Sequence, residues 1–202
     1  MLYFYIIPPI ILYALFFYKF IRKYQYIHYA FVAIISIVFG ATEGHNFVNN
    51  GFVGAAFFIV VMFTGSLSKS KLKKALMQVR AQYAIIGFIF ISSHSIPYLL
   101  YVLDEGMVFV HLTIPIGIVI YLFFIPLSIT SFSFVRKHMG YKLWKKFHNW
   151  AYLSYLLMFV HLYFISNSRS SFYLVLFIIY TVFRVIQYID KHQTKKRLLN
   201  RE

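Results

Sequence analysis

The sequence predicts an all-α, polytopic membrane helix bundle, and three observations lead there. Of its 202 residues, 61% are apolar or aromatic and only 12% are charged, whereas soluble domains carry about 45–50% apolar and about 25% charged residues. The apolar residues gather into seven stretches near the roughly 20 residues needed to cross a hydrocarbon core about 30 Å thick. The basic residues are concentrated in alternate connections between those stretches. Together with a mean hydropathy of +0.71, these features exclude a disordered chain, a nucleic-acid-binding domain and an ordinary soluble enzyme core.

The seven stretches, with ends uncertain by roughly 2–4 residues, are Leu2–Tyr18, Tyr24–Thr42, Phe47–Leu67, Ala81–Leu103, Val108–Phe134, Phe147–Ser166 and Phe172–Ile189. Lipid offers no partner to backbone N–H and C=O groups, so each stretch must be a helix or a strand of a closed barrel. Unbroken apolarity without alternation selects helices. The first stretch is short and contains Pro8-Pro9, which membrane helices tolerate. It lacks the basic leading region and small-residue cleavage site of a secretory signal. Residues 1–23 are therefore retained as an additional transmembrane or anchor segment.

Lys19, Arg22 and Lys23 follow the first stretch, and Lys69, Lys71, Lys73, Lys74 and Arg80 precede the fourth. Arg136, Lys137, Lys142, Lys145 and Lys146 precede the sixth, and five more basic residues follow the seventh in the tail, residues 191–202. The remaining connections carry Glu43, Asp104 and Glu105, with Arg169 their single basic residue, and Arg184 lies inside the seventh stretch. Seven spans thus put eighteen of the twenty basic residues on one side. The positive-inside bias makes that side cytoplasmic, with the N-terminus outside and the C-terminus in the cytoplasm of a multi-pass cell-membrane protein. The net charge of +15 is then a record of topology and of contact with membrane lipid, and no nucleic-acid partner is expected.

The chain has no cysteine, which excludes disulfides, thiolate catalysis, iron–sulfur clusters and covalently attached haem. None of the nine glycines forms a dinucleotide fingerprint or phosphate loop. Chemistry is expected in or beside the bilayer.

Ionisable residues within membrane spans are functional candidates by default, which directs attention to eight histidines. His28, His45, His111, His138 and His192 fall near span ends or in connections, where interfacial or solvated roles are expected. His94 lies well inside the fourth stretch, in Ser92-Ser93-His94-Ser95; His148 opens the sixth and His161 lies further along it. A neutral imidazole can ligate haem iron through one nitrogen if the other N–H has an acceptor, and Ser93 and Ser95 are candidates for that role. The simpler alternative is a helix–helix hydrogen bond worth about 1 kcal/mol. His94 and His161 each stand about 14 residues into parallel spans, roughly 20 Å from the basic side, and so share one level. His148 and His161 are 13 residues apart, which at about 100° per residue leaves them about 140° apart on an ideal helix. Arg80 is level with His148.

The run Gly140-Tyr141-Lys142-Leu143-Trp144-Lys145-Lys146-Phe147-His148-Asn149-Trp150-Ala151-Tyr152-Leu153, followed by Val160-His161-Leu162, resembles the fifth core helix of ferric-reductase-like transmembrane domains. That family includes the haem-binding membrane subunit of the periplasmic methionine sulfoxide reductase system and the membrane part of NADPH oxidases. Arg80 and Ser93-His94-Ser95 are similar to its third core helix. The resemblance covers about residues 24–190 and implies a six-helix haem-binding core plus one additional N-terminal helix. It further implies b-type haem held by histidines of core helices three and five, with His94 and His161 as the outer pair. At the inner level His148 is present, but Arg80 stands where a fourth histidine would be. One haem is therefore expected, a second is left open, and FMN, FAD or a quinone could serve at the inner level near His148 and Arg80.

The resemblance implies electron transfer from a cytoplasmic-side donor, either a separate flavin reductase or a quinol, to an extracytoplasmic acceptor. That acceptor could be a partner reductase, a flavoprotein or ferric iron. The rival expectation is a non-redox membrane protein, such as a small transporter or assembly factor, whose histidines serve packing or proton transfer.

Overall fold

The computed structural model describes residues 3–40, 48–108, 110–165 and 169–199, the side chains of 191 and 194–199 excepted. Eight helices follow one another among these residues: α1 (Tyr3–Lys23), α2 (Gln25–Gly40), α3 (Phe52–Thr64), α4 (Lys71–Asp104), α5 (Thr113–Ile129), α6 (Ser133–Met139), α7 (Tyr141–Ile165) and α8 (Ser170–Leu199). The molecule is all-helical, as expected of a chain whose backbone must pair within each segment.

The helices are less uniform than seven equal spans. Among the described residues, α1, α4 and the Ser170–Asp190 part of α8 are long and apolar enough to cross a membrane; α5 and α6 would add a fourth span if their 81° bend is counted within one. The six-plus-one arrangement is thus not what helix length alone displays. At 1.5 Å per residue, the 16-residue α2 and 13-residue α3 reach only about 24 and 20 Å. The expected end of one and start of the other fall within residues 41–47, outside the described part. The 25-residue α7 is long enough, but Lys142, Lys145 and Lys146 occupy its opening turns. The fifth apolar stretch becomes helical at Thr113, not Val108, which puts Pro115 in the first turn, where backbone N–H groups lack intrahelical partners and proline is tolerated.

α1 runs through Pro8-Pro9 and bends at Phe17 (φ −119°, ψ 17°). Its buried residues Tyr3, Ile10, Ala14 and Ile21 recur at intervals of seven and four, so they form one stripe. That stripe faces α4 and α3, and the buried Tyr83 hydroxyl of α4 donates to the Ile10 carbonyl at 2.7 Å. The additional N-terminal segment is therefore packed into the bundle.

α3 is apolar and buried on nearly every side, as befits a central helix. It meets α4 where Gly54 faces Gly87: a Cβ on Gly54 would stand 2.8 Å from the Ile91 backbone nitrogen and 2.9 Å from the Gly87 carbonyl oxygen. Small residues allow such close approach in membranes, where dispersion contacts hold helices together. α5 packs on α7, and α7 on α8. Large side chains such as Tyr5, Phe16 and Ile37 project outward, each at least 70% exposed, a pattern suited to lipid.

Candidate functional site

α3, α4, α5 and α7, with the first residue of α1 and the start of α8, surround a cavity of about 400 Å³. That volume falls within the roughly 300–1,000 Å³ typical of small-molecule and cofactor sites. Its walls are mainly apolar, with Phe58, Ile120, Phe124 and Met158 among them. His94 from α4 and His161 from α7 both line it.

Both imidazoles are fixed by the same device. His94 Nδ1 lies 2.7 Å from the Asn49 carbonyl oxygen, and His161 Nδ1 lies 2.9 Å from that of Thr113. A carbonyl only accepts, so each Nδ1 must donate. In the neutral ring the lone pair then resides on Nε2, the arrangement used by metal-ligating histidines whose other nitrogen is held by a backbone acceptor. The serines flanking His94 do not provide this support. Ser93 donates instead to the Phe90 carbonyl at 2.7 Å, the back-bonding usual for a hydroxyl inside a helix.

Each ring also rests against a glycine. Gly51, at the N-terminus of α3, has φ +73°, and a Cβ there would lie 3.1 Å from His94 Cγ. A Cβ on Gly117 of α5 would lie 3.0 Å from His161 Cε1. Tyr98, one turn after His94, stacks on its ring at a centroid distance of 6.2 Å.

Arg169 also lines the cavity, and its guanidinium lies 5.1 Å from the Phe52 ring centroid. Sequence reading identifies it only as the solitary basic residue of the sparsely charged side. Nothing in its immediate sequence signals that Arg169 lies in the same cavity as the histidines.

His148 and Arg80 do not line this cavity. His148 Nδ1 donates to the Trp144 carbonyl at 3.3 Å, and Nε2 is 3.5 Å from Ser131 Oγ. Its ring packs on Trp144 at 4.2 Å. α7 is one unbroken helix, so the offset of 13 residues separates His148 from His161 around the axis as expected. Arg80 lies within electrostatic reach of His148 and hydrogen-bonding reach of Tyr155. Beside it Arg184 donates to the Tyr152 hydroxyl at 2.9 Å; both guanidinium groups approach Gly65 at the end of α3, where helix carbonyls favour positive charge.

Of the other histidines, His111 is exposed, His138 bonds its own helix at Phe134, and His45 lies outside the described residues. Among the described residues no three or more His, Cys, Asp or Glu side chains gather into a metal-binding group. A porphyrin-bound iron needs only two protein ligands, a number that His94 and His161 could supply. The apolar walls, the two Nε2 lone pairs and the Arg169 cation at the rim suit a flat macrocycle carrying carboxylates.

The chain is similar to an uncharacterized protein of Treponema pallidum (strain Nichols), with 30% identity over 210 aligned positions. The alignment covers 87% of this chain but 57% of that protein, so the chain spans little more than half the length of this relative. No solved structure matches it. Ferric reductase like transmembrane components match residues 50–159, a stretch that includes α3 to α6 and most of α7, with His94 and His148 inside it and His161 two positions beyond. By this match over more than half its length, the chain belongs to the ferric-reductase-like transmembrane family.

Proposed function

We propose that the protein is a haem b electron carrier of the cell membrane, with its C-terminus in the cytoplasm. It takes electrons from a donor on the basic side, a separate flavin reductase or a quinol, and delivers them to an acceptor on the opposite side. A partner reductase, a flavoprotein or ferric iron fits that description. The observation that carries this reading is the pairing of His94 and His161 in one apolar cavity, both with Nδ1 committed to backbone carbonyls. Family membership supports a membrane electron-transfer role.

Bound haem supplies a one-electron iron couple tuned by its axial ligands and burial. The chain's own residues do the rest. His94 and His161 would be the ligands, Asn49 and Thr113 hold their rings, and Gly51 and Gly117 leave the rings room. Arg169, in the cavity lining, would pair with a propionate. Phe58 stacks on Phe124 at 4.0 Å and helps exclude water. His148 and Arg80 form a separate polar group toward the basic side and contribute no second pair of histidine ligands; FMN, FAD or a quinone remain the candidates for that level.

Reconstitution into sealed vesicles tests the function. With a reductant inside and a membrane-impermeant ferric chelate outside, the wild type should reduce the chelate well above protein-free vesicles. His94→Ala should reduce that rate at least tenfold. Equal rates in wild type and His94→Ala vesicles would contradict the proposal.

A further inference from the structure

A second cavity, of about 530 Å³, lies between α1, α2, α3 and α4. Its α1 and α2 walls belong to the part of the chain before residue 50, where the family match begins. Tyr13, Phe20, His28, Phe31, Phe57 and Tyr83 contribute to its lining, and among the described residues no lysine or arginine does. Phe31 is 62% and Phe20 48% exposed on helix faces suited to lipid, so the natural approach is from the bilayer.

One polar device stands in this apolar space. His28 Nδ1 lies 2.8 Å from the Tyr24 carbonyl oxygen, so Nδ1 carries the proton and Nε2 the lone pair. Nε2 lies 2.8 Å from the Tyr13 hydroxyl, which must therefore donate to it. The Tyr13 oxygen keeps its own lone pairs and can accept a hydrogen bond from a ligand hydroxyl. The Tyr83 hydroxyl is already directed to the Ile10 carbonyl. Phe20 and Tyr13 surround the imidazole with ring centroids 5.5 and 6.0 Å away, which gives a ring-lined slot with one hydrogen-bonding end.

We propose that this cavity binds the head of a lipid-soluble quinol, with a ring hydroxyl hydrogen-bonded to Tyr13 and His28 behind it as proton acceptor. This rests on the electron-carrier reading and names its donor. A flavin nucleotide, with its polar ribityl phosphate, fits poorly in an apolar lining that opens toward lipid; Lys23, whose Nζ lies 5.1 Å from the Tyr24 ring centroid, stands outside that lining. An acyl chain would fill the walls and leave the Tyr13–His28 pair unused. Oxidation of a quinol to a quinone releases two electrons and two protons. The haem carrier of the proposed function takes the electrons one at a time, and each proton passes to the Tyr13 oxygen as the Tyr13 proton moves to His28 Nε2, which releases it to water before the next transfer. Helix α3 stands between this cavity and the histidine cavity: its consecutive residues Phe57 and Phe58 line this cavity and the other.

The test uses the full chain in phospholipid nanodiscs and a short-chain benzoquinol carrying a diazirine on its tail, under anaerobic conditions with any haem already reduced. Illumination should label peptides of α1 and α2, and excess unlabelled quinol should suppress the labelling. Tyr13→Phe and His28→Leu should each weaken quinol binding at least tenfold, with haem per chain unchanged. If His28→Leu fails to fold, the conservative Tyr13→Phe still decides. Labelling spread without preference for α1 and α2, suppression by added phospholipid as effective as by quinol, or affinities within twofold of wild type would overturn the proposal. Binding is read without electron transfer, so absence of haem would fail the carrier reading alone, and absence of quinol binding in a haem-loaded protein would fail the donor assignment alone.

Discussion

His161 and Gly117 are packed so closely that a Cβ on Gly117 would stand 3.0 Å from Cε1 and 3.4 Å from Nδ1 of the imidazole. The glycine of α5 thus sets the position of a ring carried by α7. The Thr113 carbonyl, one turn earlier on the same helix, accepts from Nδ1 of that ring at 2.9 Å.

Substitution at Gly117 should therefore act on the site before it acts on the fold. Gly117→Ala asks the ring to move by a few tenths of an ångström and should leave haem bound with an altered optical spectrum. Gly117→Val should remove most of the haem while helix content by circular dichroism stays near wild type. Overpacking of this kind costs about 1–3 kcal/mol.

Arg169 should matter to retention of the cofactor. It is exposed, so its pairing with a propionate is limited to about 1 kcal/mol, and Arg169→Gln should weaken haem binding by roughly fivefold. Arg169→Lys should recover part of the loss. Haem transfer to apomyoglobin measures the change.

His148→Ala should leave the haem content of the protein unchanged, because Trp144 and Ser131, and not the histidine cavity, surround this side chain. Haem per chain by pyridine haemochrome decides this; a halved content would reveal a second haem at that level.

Gly54→Val should destabilise the bundle itself. Its added carbons meet backbone atoms of α4, which cannot swing aside as a side chain can. A loss of about 1–3 kcal/mol should appear as a lower melting temperature in detergent and a reduced folded yield.

The outlines of this molecule are legible in its sequence because lipid imposes simple rules. Apolar run length and backbone self-pairing lead to helices, and the rise per residue leads to the expectation that His94 and His161 lie at one level; both line one cavity. The failure of His148 and His161 to share a face follows from counting at 100°. Other features depend on contacts between segments distant in the chain. Asn49 and Thr113 act through backbone carbonyls, which carry no sequence signature. Arg169 comes to the cavity because α8 starts beside it, and Gly117 is one of nine glycines until the ring it touches is known. His28 reads as interfacial from its place near a span end; only the packing of α1 on α2 shows its pairing with Tyr13. The 81° bend between α5 and α6 was hidden because the apolar run continues through it.

The most direct test of the account is the optical spectrum of the purified protein, with haem quantified per chain, beside His94→Ala and His161→Ala. About one b-type haem per chain is expected, with the sharp, split α and β bands of six-coordinate low-spin iron. Each substitution should abolish that low-spin signature and remove most of the haem. A colourless protein prepared with ample haem, or low-spin haem undiminished in both variants, would contradict it.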